Sequence, residues 1–245
     1  MTYAPQRAPD GYLSGLQPSF NTVSTIDILA GRCRADDDQG DIIVGSTLTA
    51  NIAVSGANGL DTGVEAANTW YSLWAIADNG GTNAASLFST SASSPTMPSG
   101  FTRKRRVGWV RNLSNSNFRP FQVVGSGATK EYYYDGAITD LQVLVNGSAG
   151  TYTAVNLSER VSPGNTWAYL QTSVVNAAAT FEFRQTDSGI ANGLGPWRSL
   201  TGDINASQQS DHLWVVCNSS QRVDYRRTGG TGVLNIFVLG YKDEL

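Results

Sequence analysis

Histidine occurs once in this chain, at position 212, and cysteine twice, at 33 and 217. A zinc site of the usual four nitrogen and sulfur ligands has too few residues to draw on, so no metal and no cofactor is expected. Charge is scarce as well: 15% of residues are Asp, Glu, Lys or Arg, and the formal net charge is −3. A surface that neutralises phosphates is normally strongly basic, so no nucleic-acid partner is expected. No apolar run approaches the ~20 residues needed to span a bilayer as a helix, and residues 1–10 hold no apolar signal-peptide core. The protein is therefore expected to be soluble, made in the cytoplasm and not secreted, with no membrane insertion. In that setting the terminal Lys242-Asp243-Glu244-Leu245 spells an ER-retention address only by coincidence. The N-x-[ST] sequons at Asn112, Asn146, Asn156, Asn205 and Asn218 read the same way in a chain rich in Asn, Ser and Thr. Without export signals the two thiols are expected to be reduced and unpaired.

Helical periodicity is missing too. No window of a dozen residues combines a 3.6-residue apolar repeat with capping signals, and heptads are absent, so the chain builds no coiled-coil shaft of its own. What it has instead is period two. In residues 47–54, Leu48, Ala50, Ile52 and Val54 fall on one face, as in a strand with one wet side. Phe181 and Phe183 alternate with Glu182 and Arg184, and Val223 and Tyr225 with Asp224 and Arg226. Four runs are apolar on both faces: residues 70–77, 167–175, 213–217 and 233–241. Such runs suit central strands covered on both sides, or strands at a subunit interface.

Clusters of Gly, Asn, Ser and Thr punctuate these runs at residues 79–83, 146–150 and 228–232, supplying the positive-φ residues that tight turns need. The pattern predicts an all-β fold of antiparallel β-sandwich or jelly-roll-like domains. At 245 residues the chain has room for two of them. The small-residue stretch Gly125-Ser126-Gly127-Ala128-Thr129 is the candidate boundary. It divides an N-terminal arm (residues 1–12) and a first β-rich domain (13–128) from a C-terminal β-sandwich (129–245). A weak internal echo, Asn68-Thr69-Trp70-Tyr71 against Asn165-Thr166-Trp167-Ala168, opens a strand in each half.

Candidate chemistry is sparse. His212, in Ser210-Asp211-His212-Leu213-Trp214, would have to be the base of any Ser–His–Asp site, yet no nucleophile elbow accompanies it. It reads as a strand-edge or ligand-contacting histidine, and no catalytic residue is expected. Asp36-Asp37-Asp38-Gln39-Gly40-Asp41 crowds carboxylates round a glycine, but the EF-hand register fails, since Gly40 falls fifth and Thr47 twelfth. A solvated acidic turn between two strands remains. The basic run Arg103-Lys104-Arg105-Arg106 would split its charges between two faces of a strand, which favours ion pairing over a nucleic-acid patch. Cys33, between Arg32 and Arg34, would have a lowered pKa if exposed, whereas Cys217 ends an apolar strand and reads as buried.

Aromatics are the more suggestive residues. Trp197 and Arg198 follow a Gly/Pro-rich loop, where an indole can stack on a sugar face while the guanidinium bonds its hydroxyls. Tyr133, within Tyr132-Tyr133-Tyr134, and His212, close to Trp214, complete the glycan-binding candidates. The alternative places Trp197 as a cap on the core and turns Tyr133 inward.

The ordered series Gly11-Tyr12-Leu13-Ser14-Gly15-Leu16, Ile26-Asp27-Ile28-Leu29-Ala30-Gly31, Gly59-Leu60-Asp61-Thr62-Gly63 and Asn68-Thr69-Trp70-Tyr71 resembles the N-terminal part of tailed-bacteriophage tail-fibre and virion structural proteins. Leu87-Phe88-Ser89-Thr90-Ser91, Pro95-Thr96-Met97-Pro98 and Lys104-Arg105-Arg106-Val107-Gly108 continue it, so that the resemblance covers about residues 11–124. It implies a virion protein, a homotrimer, whose N-terminal domain contacts other virion proteins and whose outer domain faces host-surface polysaccharide. It carries no catalytic residues. The expected role is a short tail fibre or baseplate appendage for host attachment; the alternatives are a capsid decoration or head-fibre protein, and a glycan-depolymerising enzyme.

Overall fold

The computed structural model describes residues 8–125, 127–164, 167–175, 177–188, 199–201 and 209–245. The chain divides into two compact units, Met1–Asp135 with Glu244–Leu245, and Gly136–Asp243. Both are all-β, as the period-two pattern predicts, and their sheets are almost wholly antiparallel. Among the described residues no helix is long and apolar enough to cross a membrane.

In the first unit β1 (Leu13–Gly15), β4 (Gly31–Arg34) and β5 (Asp41–Val44) form one small sheet, and β2 (Pro18–Thr22), β3 (Thr25–Ile28) and β6 (Leu48–Asn51) another. The largest sheet has the order β10-β8-β9-β7, from β7 (Gly59–Leu60), β8 (Thr69–Ala77), β9 (Ala84–Ser89) and β10 (Arg103–Asn112). As its doubly apolar pattern predicts, β8 is central, and every side chain from Tyr71 to Ala77 is buried. Trp74, Ile76, Ala85 and Leu87 pack together on one side, with Met97 and Phe101 laid against them. Tyr71, Phe88 and Phe118 form an aromatic run, with centroids 6.3 and 5.1 Å apart. The alternation read over residues 47–54 stops early. The strand ends at Asn51, whose side-chain oxygen accepts the Ala53 N–H and turns the chain, leaving Val54 exposed.

The hairpin of β11 (Phe121–Val124) and β12 (Thr129–Tyr134) corrects the domain boundary. Gly125 has φ +100° and sits in the turn of this hairpin, so the stretch at 125–129 joins two paired strands. The division falls after Asp135. Local small-residue content marks a turn equally well whether the next strand leaves the domain or folds back. Inside the hairpin Lys130 is fully buried, and its ammonium donates to the carbonyls of Leu16 (2.6 Å) and Val107 (3.1 Å). Val107 can accept because β10 is bulged between Arg106 and Gly108, which takes it off the ladder.

The second unit begins with a 3-10 turn (Ile138–Leu141) and contains β13 (Gln142–Gly147), β14 (Thr153–Asn156), β15 (Trp167–Val175), β16 (Ala179–Gln185), β17 (Ser199–Thr201), β18 (Gln209–Val216), β19 (Arg222–Gly230) and β20 (Val233–Glu244). One sheet runs β14-β19-β16-β17; in the other, β15 lies between β20 and β18, and β13 also pairs with β20. Phe181, Phe183, Val223 and Tyr225 from the first face inward, as do Leu170, Val174, Leu213, Val215, Leu234, Ile236 and Val238 from the second, and all are buried. Inward side chains from two sheets make the core of a β-sandwich. Two doubly apolar runs are not covered on both faces, as one of the two roles read for them would require. Residues 213–216 lie in β18, which among the described residues pairs with β15 alone, and residues 167–175 turn a half-exposed aromatic row outward. Aromatic side chains look like core to a hydropathy pattern even where one face stays wet.

Candidate functional site: an aromatic face on the second unit

Strand alternation decides which side chains the β20-β15-β18 sheet turns away from its core. On β15 these are Trp167, Tyr169 and Gln171, which alternate with buried Ala168, Leu170 and Thr172. Their register partners on β18 are Val216, Trp214 and His212. On β20 the partners are Lys242, Gly240 and Phe237. The outer face is thus a grid of three rows: Val216–Trp167–Lys242, Trp214–Tyr169–Gly240 and His212–Gln171–Phe237. At strand and residue spacings of ~4.8 and ~3.4 Å it spans about 10 by 13 Å.

One irregularity builds this face. Along β20 Leu234, Ile236 and Val238 point inward, and unbroken alternation would put Gly240 and Lys242 inward after them. The register slips at Leu239, so Tyr241 becomes the next inward residue and Lys242 turns outward beside Trp167. A bulge re-aims the side chains that follow it, and here it exchanges a buried lysine for a buried tyrosine.

The rings are arranged as a continuous stack. Tyr169 lies between Trp214 (centroids 4.9 Å apart, planes 28° apart) and His212 (5.9 Å, 29°). Gly240, opposite Tyr169, removes the side chain that would stand over its other flank. The Lys242 ammonium lies 5.1 Å from the Trp214 centroid and 5.9 Å from that of Trp167, within cation–π range of both. Trp167 and His212 are exposed, and Tyr169, Gln171, Trp214 and Lys242 half-buried. A shallow surface of rings edged by an amide, an imidazole and an ammonium can stack the C–H face of a flat ring and bond hydroxyls at its rim.

Of the sequence candidates, His212 belongs to this face, and its backbone N–H donates to Asp211 Oδ1 at 2.8 Å. Tyr133 belongs to the first unit, half-buried, where its hydroxyl donates to Glu131 Oε2 at 2.8 Å. Trp197 and Arg198 lie outside the described residues. The residues that sequence reading missed are Trp167, Tyr169, Gln171 and Lys242. The signal for two of them was present: Trp167 and Tyr169 are two apart, as are His212 and Trp214, so each strand presents its pair on one face. Lys242 carried no such signal, because only the bulge turns it outward.

The remaining candidates resolve into structural interactions. Cys33 is fully buried, and burial pushes its thiol up to about 12 against the opposing pull of Arg105 and Lys130. Its neighbours Arg32 and Arg34 do not lower it, because in a strand they point the other way. Cys217 is buried and likewise pushed up to about 12. The acidic turn joins β4 to β5, and the basic run is the first part of β10; Lys104 pairs with Asp36, and Arg103 Nη1 donates to the Asp41 carbonyl at 2.7 Å. On the other sheet of the second unit the Tyr152 ring lies between the guanidinium groups of Arg184 (3.9 Å) and Arg226 (4.5 Å). Glu182 accepts from the Tyr152 hydroxyl and Arg226, and Asp224 from Arg184 and Thr186, so two acids offset two bases. Burial and the bond to Glu182 push the Tyr152 phenol up. Among the described residues no three His, Cys, Asp or Glu side chains gather as metal ligands would.

No family model and no curated protein matches the chain. Among solved structures it is similar to CapF crystallised with the inhibitor 3-isopropenyl-tropolone, at 12% identity and a TM-score of 0.19 over 54% of this chain. The match spans one third of that protein (33%), and a likeness of that degree carries nothing about fold or activity.

Proposed function

We propose that this chain is a structural protein of a tailed-bacteriophage virion, a short tail fibre or baseplate appendage, and that the aromatic face of its second unit attaches the particle to host-surface glycan. The ordered blocks over residues 11–124 and the all-β architecture support the virion role. The observation that carries the attachment role is the His212–Tyr169–Trp214 stack, edged by Lys242, on the outer face of a sandwich. Pyranose rings offer flat C–H faces to aromatic rings and hydroxyls to polar groups at the rim, and this surface provides both partners.

The face is open and shallow, so a single contact would bury little area and bind weakly. A homotrimer would present three such faces at once, and linked weak sites gain avidity without new contacts. Attachment through this surface therefore goes with trimeric assembly, and light scattering should give a mass near three chains. A monomer at micromolar concentration would count against it.

Two measurements test the reading. Purified protein should bind surface polysaccharide extracted from a sensitive host strain, and labelled antibody should decorate the tails of intact particles. Decoration of heads alone would assign the chain to the capsid as a decoration protein. Release of reducing ends from the polysaccharide would make it a depolymerase.

A further inference from the structure

Asn58, Asn79, Asn146 and Asn192 each precede a glycine, and the last of these pairs lies outside the described residues. In an Asn–Gly pair the glycine amide nitrogen can attack the side-chain carbonyl before it, because glycine has no Cβ to crowd the approach. The bond from that nitrogen to Cγ forms, the Cγ–Nδ2 bond breaks, and ammonia leaves with the amide proton. Water then opens the cyclic imide at either carbonyl, giving aspartate or, with an extra main-chain atom, isoaspartate. Ring closure needs a free N–H, a free side-chain amide and a backbone able to turn one onto the other.

The fold leaves these conditions open at Asn79 and closes them at Asn58 and Asn146. Asn79 and Gly80 are exposed at the tip of the hairpin that joins β8 to β9. The turn is closed from outside the pair: the Gly81 N–H donates to the Asp78 carbonyl at 3.0 Å and to Asp78 Oδ1 at 2.8 Å, and the Asp78 N–H to the Asn83 carbonyl at 3.2 Å. Among the described residues no hydrogen bond holds the Asn79 side chain or the Gly80 N–H. At Asn58, by contrast, Oδ1 accepts from the Ser86 N–H (3.0 Å) and hydroxyl (3.1 Å), and the N–H of buried Gly59 donates to the Gly56 carbonyl at 2.9 Å. Asn146 is anchored through its N–H to Asn235 Oδ1 at 3.0 Å, and Gly147 is buried opposite Leu234, with no room for a Cβ against Tyr225. Both pairs would have to open locally before they could cyclise, and opening is rarer the more contacts it breaks.

We propose that Asn79 is a site of spontaneous covalent modification: it deamidates from the native fold through a cyclic imide with Gly80, with water as the co-reactant, while the fold protects Asn58 and Asn146. The product alters the turn. Isoaspartate inserts an atom into the main chain between Asp78 and Gly81, whose N–H closes the turn and whose carbonyl accepts the Ile43 N–H of β5 at 2.8 Å. The site lies in the first unit and is independent of glycan attachment by the second. The test incubates the full chain in mildly alkaline buffer, native and unfolded in guanidinium, and follows each Asn–Gly pair by digestion and tandem mass spectrometry. Replacement of the amide by a carboxyl adds one mass unit, and isoaspartate elutes apart from aspartate. In the native chain Asn79 should convert about tenfold or more faster than Asn58 and Asn146, the protection that one or two hydrogen bonds give. In the unfolded chain the three rates should converge. Gly80→Ala keeps the turn, because its Cβ would meet nothing closer than Asp78 Oδ1 at 3.4 Å, and should slow Asn79 several-fold by crowding the attacking nitrogen. Trp214→Ala should leave the rate unchanged. Equal native rates at the three pairs overturn the proposal, as does native Asn79 that stays intact while the unfolded chain reacts. The comparison of native with unfolded chain needs no variant, so it decides even if Gly80→Ala fails to fold.

Discussion

Trp214→Ala separates the role of the aromatic face from the stability of the sandwich that carries it. In the folded protein the indole stacks on Tyr169 at 4.9 Å and lies under the Lys242 ammonium at 5.1 Å. An aromatic pair contributes ~0.5–1.5 kcal/mol beyond area burial, and an exposed cation–π contact ~0.5–1 kcal/mol. Their loss together costs about 1–2.5 kcal/mol, well inside the stability of an ordinary domain, so the variant should stay folded at room temperature. At ~4–8 °C per kcal/mol for a unit of this size, its melting transition should fall by roughly 5–15 °C. Binding should suffer more in proportion. A lost aromatic stacking partner costs ~1–3 kcal/mol where ring stacking holds a ligand, which is about 5- to 150-fold in affinity. Calorimetric unfolding gives the first number, and titration with extracted host polysaccharide below the new midpoint gives the second. Trp214→Phe keeps a ring on Tyr169 and should lose far less in both. Refutation is a Trp214→Ala protein that melts lower as expected yet binds polysaccharide within twofold of the parent, for then the rings serve packing alone.

Deleting Leu239 removes the bulge on β20 and should turn Lys242 inward and Tyr241 outward. That costs several kcal/mol for the buried charge and ~1.5–3 kcal/mol for the expelled ring, so the second unit should become protease-sensitive; a stable deletion variant that still binds polysaccharide would refute the bulge argument. Both thiols, pushed up to about 12 by burial, should resist an aromatic disulfide reagent at pH 8 and react fully once the chain is unfolded in guanidinium; rapid labelling of native Cys33 would contradict its burial. The Asp41 carboxyl is held below its ordinary 3.8 by Arg32 and Arg34. It therefore contributes stability that is complete above pH 3.8 and lost as the pH falls through the lower folded value. Asp41→Asn should lower stability at neutral pH and flatten the acid limb below about pH 4, and an unchanged limb would remove Asp41 from the linkage.

The sequence fixes most of the elements by short-range physics. Phe181 and Phe183 alternate with charged neighbours, and a strand has only two faces, so their inward placement follows from hydropathy alone. The same holds for β8, whose apolar character on both sides requires cover on both sides. Exclusion of a usual zinc site also needed nothing beyond the residue count. Tertiary structure decided what depends on pairing between distant segments. The hairpin of β11 and β12 moved the boundary from 128 to 135, since a turn does not announce whether the next strand returns. The fates of the charged runs at 36–41 and 103–106 were settled by their meeting. Above all, the aromatic face exists because β15 pairs with β18 in one register and with β20 in another that slips by one residue at Leu239. A side-chain period of two makes a single inserted residue reverse every side chain beyond it, and the pairing that shows the insertion lies outside the strand's own sequence.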